Sequence, residues 1–144
     1  MVQSSSIDTQ NKELRNFTFQ EIEEYLIKFK ALIEEGKFQI SLNENRQENI
    51  DFIEDYNLNS IKQKEILLSI EANDFCYALN NLNPKFAHEI LYVFCPQREL
   101  NYFGDLENVD IYIKSNLLES DGRNDYLIMV SFHKRNKPIT YLFR

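Results

Sequence analysis

Alternation of apolar and polar residues on two neighbouring segments constrains this 144-residue chain more than any other feature. Residues 109–114 read Val-Asp-Ile-Tyr-Ile-Lys, and residues 128–133 read Ile-Met-Val-Ser-Phe-His. A period of two is typical of a strand with one buried face. The pattern predicts an antiparallel hairpin. Its apolar face would consist of Val109, Ile111, Ile113, Ile128, Val130 and Phe132.

The polar residues 119–124 are the predicted turn of this hairpin. A turn centred on residues 121–122 fixes the register, because a slip of one residue would move every apolar side chain into water. The predicted cross-strand pairs are Asp110 with His133, Tyr112 with Ser131 and Lys114 with Met129. The opposite face of the hairpin would therefore carry a carboxylate, a phenol, an amine and an imidazole within reach of one another.

Length and composition predict one globular domain over residues 17–144, preceded by a flexible tail over 1–16. The 8 Tyr and 11 Phe residues supply the aromatic mass of a packed core. No run of apolar residues approaches the length of a membrane span, and the first residues lack a basic-then-apolar signal pattern. We therefore expect a cytoplasmic protein without membrane association. Cys76 and Cys95 have no metal-ligand spacing and are expected to be buried, inert thiols.

The remaining pattern predicts helices before strands. Thr18 and Glu21 form a capping box before a helix over about 19–35, and Ser60 with Gln63 repeats the pattern before an apolar helix ending near residue 70. A weaker helix is expected over 43–56, strands over 38–42, 89–94 and 139–143, and a helical turn or loop over 74–77. This layout is α+β, with N-terminal helices packed on one face of a mostly antiparallel sheet.

The charge distribution adds a local basic region to an acidic protein. The net charge is −7, yet no acid follows Asp125, whereas Lys134, Arg135 and Lys137 follow the hairpin directly. A phosphodiester needs a proton acceptor, a proton donor and positive charge on its oxygens. A solvated sheet face explains the same alternation without any chemistry, because alternation reports exposure and not reactivity. Both interpretations stay open on periodicity alone.

Six segments, taken in order, resemble the MqsR (motility quorum-sensing regulator) family of type II toxins. The N-terminal ones are Ala-Leu-Ile-Glu-Glu-Gly-Lys at 31–37 and Lys-Glu-Ile-Leu-Leu-Ser-Ile at 64–70, the latter followed by Asp74-Phe75. The C-terminal ones are Leu-Tyr-Val-Phe at 91–94, Ile-Tyr-Ile-Lys at 111–114, Val-Ser-Phe-His at 130–133 and the final Tyr-Leu-Phe at 141–143. The resemblance spans roughly residues 22–143, and none of its motifs is specific by itself.

The resemblance implies a RelE-like fold and a metal-independent endoribonuclease that cuts mRNA and is held inactive by a cognate antitoxin. No cofactor is expected. The family's sheet tyrosine corresponds to Tyr112, and its basic residue after Ser-Phe corresponds to His133. A family lysine after the Asp-Phe pair falls on or near Tyr77.

In this hypothesis a 2′-hydroxyl attacks its own phosphate and leaves a 2′,3′-cyclic phosphate. Tyr112, His133 and Lys114 are the catalytic residues, and Asp110 orients the imidazole. The phosphate-binding residues would be Lys134, Arg135 and Lys137. The alternative, from another class, is a catalytically weak RelE-like interaction module whose basic C-terminal edge binds a protein partner.

Overall fold

A computed structural model describes residues 12–86, 88–120 and 124–144. The helices are α1 (Phe19–Glu34), α2 (Gln47–Asp55) and α3 (Ser60–Leu68). The strands are β1 (Phe38–Ile40), β2 (Phe75–Asn80), β3 (Ile90–Phe94), β4 (Gln97–Tyr102), β5 (Asp105–Leu118) and β6 (Tyr126–Lys134). The strand order is β1-β6-β5-β3-β2, and β4 pairs with the first half of β5. Among the strand pairs of the described residues, only β1–β6 is parallel, so the predicted α+β class is confirmed.

The start of α1 follows from its cap. The Glu21 amide donates to Thr18 Oγ1 at 3.1 Å and the Thr18 amide donates to Glu21 Oε1 at 2.8 Å, which confirms the capping box. The second predicted box is wrong: Asn59, and not Ser60, caps α3 by accepting from the Lys62 amide at 2.9 Å. The Asn59 side-chain oxygen, one residue before Ser60, accepts from a backbone amide of the first helical turn, as the expected cap would have done. Helix α3 therefore begins nearly where expected.

The main core lies between the helices and one face of the sheet. Helix α1 supplies every third or fourth side chain, and the strands supply alternate ones, as the two periodicities require. Fully buried members from the helices and the segment after α3 are Ile22, Phe29, Ile33, Leu67 and Ile70, and those from the sheet are Phe75, Phe94, Ile111, Ile113, Leu127, Met129 and Phe132. Helices α1 and α3 thus cover the sheet face as the apolar spacing predicted.

A β-bulge changes the predicted register and faces of the hairpin. Tyr112 pairs with His133 and Lys114 with Ser131, but Ser115 pairs with Met129, so Val130 is an extra residue in β6. The predicted pairing of Asp110 with His133 is therefore wrong. The extra residue also reverses the alternation: Leu127 and Met129 are in the core, whereas Ile128 and Val130, which we expected there, are half-buried on the other face.

Asn49 on α2 satisfies the backbone groups that the bulge leaves unpaired. Its amide group donates to Val130 O at 3.1 Å and Ser41 O at 2.9 Å, and its Oδ1 accepts from the Phe132 amide at 2.8 Å. The side chain is almost completely buried. The Asn49 side chain thus takes the place of a further β1 residue in the hydrogen bonds to β6, and these bonds hold α2 against β6.

The opposite face of the sheet is covered by the C-terminal segment, residues 135–144. Ile139 and Tyr141 pack on a second cluster that contains Tyr77, Val93 and Tyr112. The Tyr141 hydroxyl donates to Cys95 O at 2.7 Å. The predicted strand over 139–143 is wrong, because these residues form no ladder with the sheet. Residues 75–80, expected partly as a helical turn or loop, form the edge strand β2.

The two ends of the described chain meet the sheet. Leu14 forms an isolated antiparallel bridge with Ala78, with both backbone hydrogen bonds at 2.8 Å, although we expected it in the tail. Residues 1–11 of that tail and the turn centre at 121–122 lie outside the described residues. In the described ranges, every helix is too short or too polar to cross a membrane.

Candidate functional site

The central pair of the site is Tyr112 on β5 and His133 on β6. They are directly opposed in the antiparallel ladder, and their rings stack with centroids 5.5 Å apart and planes inclined by 23°. Tyr112 is 3% exposed and His133 is 8% exposed. Two of the three side chains named as catalytic from the sequence are thus neighbours, but across a different register from the predicted one.

The hydrogen bonds of His133 define its chemistry. Its Nδ1 lies 2.9 Å from Lys134 O, and only a protonated nitrogen can donate to a carbonyl. In the neutral ring, Nε2 therefore carries the lone pair and can accept a proton. Glu48 Oε1 lies 3.8 Å from Nε2 and would form an ion pair with the resulting imidazolium. Glu48, at the start of α2, is a neighbour of the imidazole that the sequence did not single out.

Tyr112 is a buried phenol that keeps its proton at neutral pH. Its hydroxyl lies 3.3 Å from the hydroxyl of Tyr77, at the position where the family resemblance expects a lysine. Burial, followed by the hydrogen bond to Tyr77, raises the pKa of Tyr112 far above its usual value. Burial likewise raises the pKa of Tyr77. Both phenols therefore keep their protons at neutral pH, and neither acts as a base there.

Lys114, two residues after Tyr112 on the same face, is a half-buried ammonium. Burial, together with the positive charges of Arg46 and Lys137, lowers its pKa to about 8. Among the described residues, no side chain forms a hydrogen bond or ion pair with the Lys114 ammonium or the Arg46 guanidinium. Two neighbouring cations without a carboxylate are an arrangement that favours an anionic ligand.

Only one of the three predicted phosphate-binding residues faces Tyr112. The Lys137 ammonium lies 5.2 Å from the centroid of the Tyr112 ring. Arg135 instead forms an ion pair with Asp110, Nε to Oδ2 at 3.0 Å, so Asp110 does not orient the imidazole. Lys134 points to the helix side, into a cleft with the carboxylates of Glu48, Asp51, Asp55 and Glu107.

Arg46 is a second site residue that sequence reasoning missed. It ends a short 3₁₀ turn (Glu44–Arg46) before α2 and lines a cleft of about 330 Å³ with Lys114 and Val130. The position lies in a polar stretch without strong periodicity. No signal in the sequence connects it to β5, because the contact depends on the Asn49 anchor.

The cysteines have no role in this site. Cys76 and Cys95 are free and completely buried, as expected. Burial raises the pKa of Cys76 to about 12 and that of Cys95 to about 11, so both remain thiols. Within the described ranges, no group of three or more His, Cys, Asp or Glu side chains is arranged to hold a metal ion.

The fold and the site together define the class of this molecule: an α+β domain whose antiparallel sheet carries a buried His–Tyr pair beside uncompensated cations. Comparison with protein-family models, with curated proteins and with solved structures found no match for this chain.

Proposed function

We propose that this protein is an RNA-cleaving toxin with a RelE-like fold, similar to the MqsR family, and that it acts without metal in the cytoplasm. The observation that supports the proposal is the stacked Tyr112–His133 pair next to Lys114 and Lys137. The residues that the family resemblance nominates are adjacent, and the pair combines a proton acceptor with a proton donor.

In this mechanism His133 Nε2 removes the proton from a ribose 2′-hydroxyl. The 2′-oxygen then forms a bond to the adjacent phosphorus, and the bond from phosphorus to the 5′-oxygen breaks. Tyr112 donates the proton that the departing 5′-oxygen takes up, and the products are a 2′,3′-cyclic phosphate and a 5′-hydroxyl. The ammonium groups of Lys114 and Lys137 stabilise the charge that develops on the phosphate oxygens. The 2′-hydroxyl requirement restricts the reaction to RNA.

Because Tyr112 is buried, part of the protein must move before RNA can reach it. Lys137, Ile139 and Tyr141 lie over the Tyr112 side of the sheet, so RNA reaches the phenol only after these residues move. The segment 135–144 forms no strand or helix, so single contacts and not a ladder hold it; among them are Tyr141 to Cys95 O, the Leu142 amide to Phe75 O, Arg135 to Asp110 and Arg144 to Asp74. Such a segment is expected to open at lower free energy than the sheet.

The test is cleavage of RNA by purified protein in excess chelator, followed by analysis of the product ends. The expected result is metal-independent cleavage with 2′,3′-cyclic phosphate ends, which is lost in a His133→Ala, Tyr112→Phe double variant of unchanged fold. Cleavage that requires added metal would refute the mechanism. Failure of the parent protein to cleave any RNA, with or without ribosomes, would refute the activity.

A toxin of this kind needs a restraining partner in its own cell. We propose a cognate antitoxin that binds this protein and suppresses cleavage. Co-expression with the adjacent open reading frame should yield a complex that survives moderate salt and prevents loss of cellular mRNA. If the two products do not associate and mRNA decays equally in both cases, the antitoxin part of the proposal is wrong.

One observation favours a second candidate, an interaction module of the same fold. The candidate catalytic phenol is nearly inaccessible beneath the C-terminal segment. A module predicts a parent protein without ribonuclease activity whose partner binding is unchanged by His133→Ala and Tyr112→Phe. The enzyme predicts that both substitutions abolish growth inhibition while the fold is retained.

A further inference from the structure

The cleft beside Lys114 has the features of a nucleotide subsite. Arg46 and Lys114 supply positive charge, Asn80 supplies an amide, and the side chains of Leu82 and Leu91 form an apolar wall. None of the described residues that line it is acidic. Its volume of about 330 Å³ falls within the roughly 300 to 1,000 Å³ of small-molecule sites.

We propose that Arg46 binds the phosphate of an RNA nucleotide next to the scissile bond, with the base of that nucleotide packed on Leu82 and its base edge reaching the Asn80 amide, while Lys114 lies between this phosphate and the scissile one. This subsite rests on the proposed function and deepens it, since it assigns residues that hold the strand beside the reaction. Lys114 is two residues from Tyr112 on one face of β5, a spacing of about 7 Å along the strand.

The positive charges of Arg46 and Lys114 are not neutralised by other side chains of the described residues. Neither Arg46 nor Lys114 has a side-chain hydrogen bond or ion pair within the described part of the chain. Glu89 lies beside the cleft residue Asn81 and is itself occupied: its Oε1 accepts from Asn81 at 3.1 Å and from Asn116 at 2.9 Å. A half-buried ammonium without a counter-ion is a cost to the folded protein, and a bound phosphate would relieve it.

The position of Arg46 is held by the sheet. Asn43 caps the 3₁₀ turn by accepting from the Asn45 amide at 3.0 Å, and Asn49, three residues after Arg46, binds the Val130 carbonyl at the bulge. Val130 lines the same cleft. The backbone at Arg46 is therefore held near the bulge of β6 by these hydrogen bonds, and its side chain lines the cleft with Lys114.

The experiment measures binding of a single-stranded oligonucleotide in which every ribose is 2′-O-methylated, so that cleavage cannot occur. Fluorescence anisotropy gives the affinity of the parent at several salt concentrations. Arg46→Gln should weaken binding by about tenfold or more, since a hydrogen bond to a charged group is lost. It should also reduce the slope of log affinity against log salt by about 0.7, the value for one phosphate contact on a single strand.

Matched variants separate the parts of the subsite. Lys62→Gln removes the same charge from a different cleft, which Arg98 and Glu99 line, and should change neither affinity nor slope beyond the general charge effect. Asn80→Ala and Leu82→Ser should weaken binding while the slope stays at the parent value, because they remove contacts to the base and not to phosphate. Circular dichroism and the denaturation midpoint confirm that each variant folds.

The outcomes distinguish this inference from the proposed function. If Arg46→Gln binds the oligonucleotide as the parent does, with the same slope, the subsite is refuted even when the parent cleaves RNA. If the parent does not bind the oligonucleotide at all, the subsite is refuted as well. Binding that depends on Arg46, in a parent that cuts no unmodified RNA, supports the subsite and overturns only the catalytic proposal.

Discussion

The imidazole of His133 stacks on the phenol of Tyr112 across the β5–β6 ladder, with the ring centroids 5.5 Å apart. The Nε2 lone pair of the neutral imidazole lies towards Glu48, and the hydroxyl of Tyr112 lies towards Tyr77. A proton acceptor and a proton donor are thus held side by side by one antiparallel pair. This relationship underlies the first prediction.

Substitution of His133 by Ala should lower RNA cleavage by about 10² to 10⁴, the usual contribution of one acid–base group. Tyr112→Phe removes only the hydroxyl and should lower it within the same range while the ring still packs. Single-turnover cleavage assays measure both effects. A His133→Ala protein with parental activity would exclude the catalytic role even if the fold is correct.

Lys137 and Lys134 should differ in their effect on cleavage, although the sequence proposed both as phosphate ligands. The Lys137 ammonium lies over Tyr112, whereas Lys134 lies among four carboxylates on the helix side. Lys137→Gln should therefore weaken RNA binding more than Lys134→Gln does at low salt. Equal effects on the dissociation constant would mean that only the net charge of the protein matters.

Asn49→Ala should destabilise the protein by about 3 kcal/mol or more. It leaves the Phe132 amide and the Val130 and Ser41 carbonyls without their partner, and each buried unpaired group costs about 1 to 3 kcal/mol. Urea denaturation measures the change in the free energy of unfolding. Asn45→Ala, on the exposed turn nearby, is the control and should change it by less than about 0.5 kcal/mol.

The bulge in β6 predicts which hairpin side chains carry stability. Phe132 is completely buried and packs edge-on against Phe52, with ring centroids 5.5 Å apart, so Phe132→Ala should cost about 3 to 5 kcal/mol. Met129→Ala should cost about 2 to 5 kcal/mol because Met129 is also in the core. Ile128→Ala, at a half-buried position, should cost clearly less. If Ile128→Ala lowers the free energy of unfolding more than Met129→Ala does in denaturant titrations, the register without a bulge is the correct one.

Lys114 should make the protein more stable as the pH rises from about 8 to 10.5. Burial lowers its folded-state pKa from 10.5 to about 8, so the unfolded chain binds more protons over this window. The ammonium therefore destabilises the fold at pH 7, by on the order of 2 to 3 kcal/mol. Lys114→Met removes this penalty. The difference in unfolding free energy between Lys114→Met and the parent should be greatest near pH 7 and vanish towards pH 10.5, as measured by urea denaturation at each pH.

Loosening the C-terminal segment should expose the thiol beneath it. Tyr141→Ala removes the hydrogen bond to Cys95 O and the stacking of Arg144 on the tyrosine ring. Alkylation of Cys95 by a maleimide should accelerate by roughly tenfold or more, because the free energy of local opening falls. Mass spectrometry of the labelled peptide measures the rate. Tyr102→Ala at the exposed β4–β5 hairpin is the control, and equal rates in the two variants would show that segment 135–144 does not protect the thiol.

The sequence by itself determined the elements whose signals are local. The capping box of Thr18 and Glu21 and the spacing of Ile22, Leu26 and Phe29 define α1, because a helix is fixed by neighbours within one or two turns. The alternation at Val109, Ile111 and Ile113 likewise defines the buried face of β5. These patterns were sufficient for the α+β class and for the choice of Tyr112, Lys114 and His133 as neighbours on one face.

Only the tertiary structure decided which partners these residues have. The extra residue Val130 is tolerated because Asn49, 81 positions earlier, binds the unpaired backbone, and no local pattern encodes that contact. With the bulge, His133 lies opposite Tyr112 and Met129 faces the core. Asp110 then forms its ion pair with Arg135 and not with His133. Arg46 reaches Lys114 through the same anchor. A single residue inserted in a strand reverses every later side chain, and whether it is accommodated depends on groups far away in the chain.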